Sequence, residues 1–171
     1  MSLTIRRAER TDAAIIARFN QGIAEETEGM RLDSDVLIQG VQAVFEDPTR
    51  GFYTVAVRPD GEVVGQAMIT YEWSDWRNGW FWWVQSVYVR EDARRLGVFR
   101  ALFDHLKREA TLDISVIGLR LYFDHGNTRG HATYRSLGLE DTEYRLMEIY
   151  PLPGRTSALE DVKPSPLHEN S

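Results

Sequence analysis

The chain has 171 residues, 43% of them hydrophobic, which suits one compact domain with a core of its own. Its net charge of −6 argues against a nucleic-acid or anionic-membrane surface and favours a cationic partner. The absence of cysteine excludes disulfides, thiolate metal ligands and cysteine nucleophiles, and no apolar run reaches the ~20 residues of a transmembrane helix. We therefore expect a soluble, cytoplasmic protein.

The first half of the chain predicts an edge strand, two amphipathic helices and a β-hairpin. Residues 3–7 form the strand, and Asp12 and Asp33 stand at capping positions before the two helices. The hairpin strands, residues 52–57 and 63–71, flank the turn sequence RPDG, in which Pro presets φ and Gly tolerates positive φ.

The next stretch, residues 71–83, contains all five tryptophans. Two of them, Trp82 and Trp83, fit on opposite faces of a strand. Trp73, Trp76 and Trp80 belong to a charged connector with Asn78-Gly79 as its turn. Two interpretations stay open: the aromatic rings cover a core edge or a dimer contact, or they line a binding site.

Residues 84–106 change hydrophobic period from that of a strand to that of a helix, and Gly97 stands at the change. The connector between them is charged and contains paired arginines. Free N–H groups, the helix dipole and guanidinium groups at a helix start all suit an anion, so this stretch predicts a diphosphate site. An ordinary strand-loop-helix with solvated arginines is the alternative.

The remaining elements are a strand at residues 116–123, a helix at 127–137 ended by Gly138, and a final strand at 144–150. We divide the chain into a domain at residues 1–150 and a polar, proline-containing tail at 151–171, which we expect to be flexible or to pack on a partner. The histidines lack metal-ligand spacing, so we expect no metal.

Two motifs carry a resemblance to a known family. The sequence RRLGVF at residues 94–99 resembles the acyl-CoA loop of the GNAT superfamily of N-acetyltransferases, with Phe99 at the position of its last Gly or Ala. The sequence NTRGHATYRSLGL at residues 127–139 resembles a later motif of that superfamily, with Asn127, Tyr134 and Gly138 in place. Phe99 fits such a loop if its ring turns into the core.

The resemblance implies an α+β (α/β) fold with a mixed, mostly antiparallel sheet of about six to seven strands, flanked by four helices. The fourth and fifth strands are then expected to splay apart, and pantetheine to enter the gap like an added strand. Acetyl-CoA is the implied co-substrate. Its binding residues would be Val87, Tyr88, Val89, Arg94, Arg95, Leu96, Gly97, Val98, Phe99, Arg100, Asn127 and Tyr134.

Catalytic roles also follow from the resemblance. The Val87 amide would polarise the thioester carbonyl, and Tyr134 would protonate the departing CoA thiolate. The spermidine/spermine N-acetyltransferase branch has a Glu at the position aligned with Gln85. Because Gln85 cannot accept a proton at neutral pH, Glu72 is the replacement candidate for the general base, unless it is a solvated carboxylate.

We therefore expect direct acetyl transfer, in a ternary complex, to a primary amine of a small cationic acceptor, and a homodimer. The residues expected to bind the acceptor are Glu25, Glu26, Glu28, Glu72, Trp73 and Asp75. These acidic groups are predicted to border one groove and to attract an ammonium group. The alternative from another class is a non-catalytic acyl-CoA-binding or regulatory module of the same fold.

Overall fold

A computed structural model of the protein describes residues 2–155. Within that range the chain forms five strands and four helices. The strands are β1 (Thr4–Arg7), β2 (Phe52–Val57), β3 (Val63–Ser74), β4 (Gly79–Val89) and β5 (Val116–Arg120). The helices are α1 (Ala13–Glu28), α2 (Ser34–Glu46), α3 (Val98–Leu112) and α4 (Thr128–Ser136).

The strands form one sheet in chain order, β1-β2-β3-β4-β5. The first four pair antiparallel, and β5 pairs parallel to β4 after the crossover through α3. Helices cover both faces of this sheet. We call the two sides the α1 face and the α3 face, after the helix that packs on each.

The α1 face is covered by α1 and α2 over β2 and the start of β3. Ile16 and Val41 are buried there with Tyr53 and Val55. The caps agree with the sequence expectation at α2, where the Asp33 side chain accepts hydrogen bonds from the amides of the first helical turn. Both helices therefore pack on the α1 face, and α1 also contacts the end of β4, where the Phe19 ring lies 4.9 Å from that of Tyr88.

The α3 face holds the larger core. Phe103 and Leu106 of α3 pack on Trp82 and Val84 of β4, with Leu137 closing the cluster from the end of α4. Leu102 and Val98 form a second buried group with Ala56 and Val64. The start of α3 is thus fixed against the sheet by buried apolar side chains, and so is the loop that precedes it.

Strand β4 contains a β-bulge at its centre. Its register on β3 passes from Gln66 opposite Tyr88 to Met68 opposite Gln85, so Ser86 and Val87 together oppose Ala67. Ser86 has φ 46°, which lies in the left-handed region. The extra residue reverses the alternation of the side chains that follow it.

Strands β4 and β5 pair over only part of the length of β4. Pairing between these strands is confined to residues 80–83 of β4, whereas β4 itself continues to Val89. Beyond Trp83, one side of β4 therefore has no strand partner within residues 2–155. This gap is where an extended ligand could add to the sheet.

The expected number of strands was wrong. Within the described residues the sheet has five strands, not six to seven, because residues 144–150 form no strand and β5 ends at Arg120. The apolar side chains of that segment are exposed, with Leu146 at 74% and Met147 at 93%. Period-two alternation predicted a strand, but a strand also requires a partner edge, which this segment does not occupy. Of the predicted tail, residues 156–171 lie outside the described range.

Candidate active site

A cleft of about 850 Å³ opens at the gap beside β4, between the start of α3 and α4. Strand β4 contributes Val87 and Val89, which point to the α3 face because of the bulge at Ser86. The lining residues are Val87, Val89, Glu91, Arg94, Arg95, Gly97, Phe99, Arg100, Asn127, Arg129, Gly130, Thr133 and Tyr134. Two sequence motifs that lie about thirty residues apart therefore meet in one cleft.

The loop before α3 forms the basic end of the cleft. Gly97 precedes the helix with φ 81°, a left-handed conformation that L side chains adopt only with strain. The first amides of a helix have no intrahelical partner, so those of α3 are free to bind an anion. Four arginines and one glutamate line the cleft, and the local charge is thus positive on a chain whose net charge is −6.

Phe99 is accommodated by turning its ring into the protein. The ring packs against the core cluster of the α3 face, 6.0 Å from the Phe103 ring and 5.7 Å, edge to face, from the Tyr134 ring. Only its backbone and one side of the ring remain for the cleft. The position that the family pattern gives to Gly or Ala therefore serves here to support Tyr134.

Tyr134 lies half-buried on α4, between two aromatic rings. Phe99 approaches it from α3, and Phe123 lies 5.7 Å away on the loop after β5. Burial raises the pKa of the Tyr134 phenol above its ordinary value. The phenol is therefore protonated at neutral pH and has a proton to donate in the cleft.

Asn127 caps α4 and lines the cleft. Its side-chain oxygen accepts a hydrogen bond of 2.7 Å from the Gly130 amide. This bond uses the oxygen and fixes the side chain at the helix start. Asn127, predicted to meet the pantetheine arm, therefore lines the cleft with its side-chain oxygen already bound to a protein partner.

Arg94 connects the loop to the C-terminal end of α1. Its guanidinium binds both oxygens of Glu26 at 2.6 and 2.7 Å, and its Nε donates to the Val89 carbonyl at 2.8 Å. The Tyr88 hydroxyl donates to the same glutamate at 3.2 Å. Glu26, predicted to bind the acceptor, is therefore the partner of an arginine of the basic loop, whereas Glu25 and Glu28 are exposed at the same helix end.

Glu72 and Gln85 lie on the α1 face of the sheet, at separate positions. Glu72 binds Arg120 of β5 at 2.6 Å and accepts a hydrogen bond from the Trp83 indole at 2.5 Å. Gln85 donates to the Thr70 hydroxyl at 2.5 Å. The Arg120 guanidinium stacks 3.7 Å from the centre of the Phe81 ring. Glu72 is thus one half of an ion pair that spans β3 and β5 across β4.

The structure does not bring the two predicted acidic groups to one groove. Glu26 meets Tyr88 near the end of β4, whereas Glu72 lies opposite Phe81 near its beginning. Seven residues of strand separate Tyr88 from Phe81, which corresponds to about 20 Å. Asp75 lies in the turn after β3, where its side chain accepts from the Trp76 amide.

The predicted aromatic wall is distributed over both faces. Trp73 and Trp80 contact each other with ring centres 4.9 Å apart, and by alternation with Tyr71 and Trp82 they belong to the α3 face. Trp76 is 85% exposed in the turn. The ring that lies beside Glu72 on the α1 face is that of Trp83.

The sequence analysis missed several lining residues, all on or beside the expected motifs. They are Glu91, Arg129, Gly130 and Thr133. Arg129 could have been found from its position, because a cation two residues after Asn127 falls in the first turn of a helix that faces the loop. Its contribution raises the positive charge of the cleft.

The geometry agrees with a family comparison. The model of the family described as "Acetyltransferase (GNAT) family" matches residues 16–139, which include both motifs and the strands between them. The chain belongs to this family. No curated protein matches the chain.

Several solved structures resemble this GNAT protein. A possible acetyltransferase from Clostridium difficile 630 is 43% identical, with a TM-score of 0.82, and the match covers 89% of this chain and 99% of that chain. A predicted acetyltransferase from Clostridium acetobutylicum, solved with acetyl-CoA, is 16% identical with a TM-score of 0.70, covering 86% and 96%. A ribosomal-protein-alanine N-acetyltransferase from Brucella melitensis biovar Abortus 2308 is 20% identical with a TM-score of 0.69, covering 86% and 98%.

Two kinds of feature are absent from the described residues. Within residues 2–155, no three His, Cys, Asp or Glu side chains lie together in a way that could hold a metal ion. In the same range, no helix is both long and apolar enough to cross a membrane.

The residues of the cleft fit acetyl-CoA. Its diphosphate would lie at the start of α3, among the free amides after Gly97 and the arginines of the loop. Its pantetheine arm would follow the unpaired side of β4, at Val87 and Val89. Acetyl-CoA would supply the activated acyl group, and the chain supplies the groups that bind and orient it.

We expect Gly97→Val to weaken acetyl-CoA binding by roughly 10-fold or more, since a lost set of charge-assisted contacts corresponds to about 1–3 kcal/mol. A Cβ at Gly97 would meet open space, so the effect arises from the left-handed backbone, which valine would shift. Isothermal titration calorimetry with acetyl-CoA measures the change.

Gly61→Val is the matched control. Gly61 has φ 90° and open space around its Cβ position, and it lies in the turn between β2 and β3 and does not line the cleft. The control should lose stability and retain its affinity for acetyl-CoA. Equal affinities for the parent and Gly97→Val would show that the loop does not bind the diphosphate.

Proposed function

We propose that the protein is an acetyl-CoA-dependent N-acetyltransferase that moves an acetyl group directly to a primary amine of a small, cationic acceptor. The observation that supports this most strongly is that Tyr134 and Val87 line the same cleft as the basic loop. In this proposal Tyr134 is the proton donor, β4 offers a free backbone edge, and the loop before α3 is the anion site. These are the groups that a thioester of CoA requires.

The proposed reaction is an attack by the neutral amine on the thioester carbonyl carbon. A C–N bond forms, the carbonyl oxygen becomes an oxyanion, and the Val87 amide stabilises that charge. Collapse of the intermediate breaks the C–S bond. Tyr134 gives its proton to the departing thiolate, and the proton lost by the amine leaves to a base or to water.

The bulge at Ser86 supports binding of the two substrates on opposite faces of the sheet. Val87 and Val89 face the cleft on the α3 face, whereas Gln85 and Tyr88 face α1. An acceptor on the α1 face could then reach a thioester that enters through the gap beside β4. Both substrates would be present together, which corresponds to direct transfer in a ternary complex.

The predicted general base, Glu72, has both carboxylate oxygens engaged by other side chains. Each carboxylate oxygen of Glu72 accepts a hydrogen bond, one from Arg120 and the other from Trp83. This arrangement favours a role in shaping the α1 face over a role in proton transfer. Gln85 has no basic group and could orient a water molecule, which would then accept the proton.

Charge supports a cationic acceptor. The chain carries a net charge of −6, and Glu25 and Glu28 are exposed at the end of α1, on the acceptor side of the sheet. A second ammonium group on the acceptor would be attracted there, although exposed charges contribute only modestly to affinity. The resemblance to the spermidine/spermine branch is consistent with this proposal and rests on the sequence alone.

Tyr134→Phe should lower kcat by about 10²- to 10⁴-fold, the usual contribution of a positioned acid. Its dissociation constant for acetyl-CoA should stay within a few-fold of the parent, because the ring is kept. Tyr144→Phe, which removes the hydroxyl group of an exposed tyrosine, is the control. Turnover is followed by thiol release and affinity by calorimetry.

The raised pKa of Tyr134 fixes the sign of the pH dependence. The phenol keeps its proton as the pH rises through the ordinary tyrosine value of about 10, so the parent's activity should decline only above that value. The Tyr134→Phe protein should lack this decline. A parent that binds acetyl-CoA but acetylates no amine would instead support the non-catalytic acyl-CoA-binding module.

An amine panel tests the acceptor class. We expect diamines, polyamines and lysine-like amines to have higher kcat/KM than neutral arylamines or anionic amino acids. The double variant Glu25→Gln/Glu28→Gln should raise KM for the polycations two- to ten-fold, in line with weak exposed charges. Glu46→Gln, at the opposite end of the helix pair, is the control. A preference for anionic amines would contradict the assignment.

We also expect a homodimer. Trp73, Trp76 and Trp80 are exposed at one end of the β3–β4 hairpin, and exposed aromatic patches usually mark an interface or a site. Multi-angle light scattering at micromolar concentration should return about twice the chain mass of 19.7 kDa. Trp76→Ser should shift that mass toward the monomer, and a monomeric parent would contradict the expectation.

A further inference from the structure

A buried polar cluster lies directly beneath the β-bulge of β4. Gln66 of β3 is fully buried, and its Nε2 donates to the Ser86 carbonyl at 3.1 Å and to the Asn20 side-chain oxygen at 2.6 Å. Asn20 of α1 in turn donates to the Tyr53 hydroxyl at 3.3 Å. The cluster therefore links α1, β2 and β3 to a single carbonyl of the bulge.

The orientation of the Gln66 amide is determined by its neighbours. Two acceptor oxygens surround the Nε2 position, so the reverse orientation would place three oxygens together. The other end of the amide, Oε1, is buried without a hydrogen-bond partner within the described chain. A buried unpaired oxygen is unfavourable, so an apolar residue would be more stable at this position unless the Gln66 donor stabilises a neighbouring group.

The Ser86 carbonyl is the group that needs this donor. Because Ser86 and Val87 share one partner on β3, the bulge removes Ser86 from the regular ladder. Ser86 also has a left-handed φ of 46°, which a residue with a side chain adopts only with strain. Without the Gln66 donor, the strained bulge would lose the hydrogen bond that holds its carbonyl on the α1 side.

The bulge decides which residues of β4 reach the cleft. Val84 and Val87 both pack on the core of the α3 face, although they are three residues apart, whereas regular alternation would put them on opposite faces. In a β4 without the bulge, the side chains of Val87 and Tyr88 would exchange faces. The Val87 backbone would turn with its side chain.

We propose that Gln66 and Asn20 are positioning residues that hold the Ser86 bulge and thereby aim the Val87 amide at the thioester carbonyl. This inference rests on the proposed acetyl transfer. It adds two residues that neither touch acetyl-CoA nor belong to either sequence motif. It also accounts for an amide with an unpaired oxygen in the centre of the fold.

The test is Gln66→Met, which keeps the length of the side chain and removes the donor. We expect kcat to fall by roughly 10- to 100-fold, because a misaimed oxyanion donor loses much of its effect. The dissociation constant of CoA itself should change by less than a few-fold, since the diphosphate site is untouched. A structural defect alone would instead weaken both in parallel.

A second substitution distinguishes a role of Gln66 in orienting the Val87 amide from a role in packing the core. In Gln66→Met/Ser86→Gly, glycine favours the left-handed φ of the bulge without the Gln66 donor, so most of kcat should return. Thr54→Val is the control: Thr54 is another fully buried polar residue of the sheet, with an unpaired hydroxyl and no bond to the bulge. Its kcat should equal that of the parent.

A binding measurement keeps the inference independent of turnover. The parent should bind acetyl-CoA more tightly than S-ethyl-CoA, which lacks the carbonyl, Gln66→Met should lose that preference, and the double variant should regain it. A parent that shows this pattern but acetylates no amine would contradict the proposed function alone. Unchanged preference in Gln66→Met, or no recovery in the double variant, would overturn the positioning role.

Discussion

The structure depends on one irregularity, the β-bulge of β4. A regular strand that pairs with β3 along its whole length would present alternate residues to each face and would place Val87 on the side of α1. The inserted residue at Ser86 lets Val84, Val87 and Val89 all face α3, while Gln85 and Tyr88 face α1. In the proposed reaction, the same strand binds a thioester on one side and receives an acceptor from the other.

The start of α3, where the anion site is proposed, is held in place by packing on the sheet. The end of β4 leads into a short connector, and the start of α3 is fixed to the sheet by Val98 and Leu102, which are buried with Val64 of β3. Apolar packing thus sets the position of the free amides at the helix start, and arginines add charge to that position. A chain with a net negative charge acquires a positive cleft because the helix start and the loop are rigidly placed, not because basic residues are abundant.

Sequence patterns predicted the parts of this fold that depend on local rules. Helical periodicity, the Asp33 cap and a start of α3 at Gly97 follow from the residues nearby, so they were visible in the sequence. The bulge was not, because it depends on which residue of β3 lies opposite and on a donor twenty positions away. Glu72 was predicted to be a general base or a solvated carboxylate, and only the register of three strands reveals Arg120, 48 residues further along the chain, as its partner. The prediction of a strand at residues 144–150 was wrong for a similar reason. Alternation of apolar and polar residues does not show whether a sheet edge is available for the segment to pair with.

Phe99 shows how a departure from a family pattern can be part of the site. Glycine or alanine at that position would leave room at the helix start, but it would remove the ring that contacts Tyr134 edge to face. Phe99 and Phe123 together exclude water from the two sides of the phenol, and this burial is the cause of its raised pKa. A tyrosine that must keep its proton until a thiolate departs benefits from such surroundings. The side chain that departs from the acyl-CoA loop pattern therefore supports the acid on which the proposed chemistry depends.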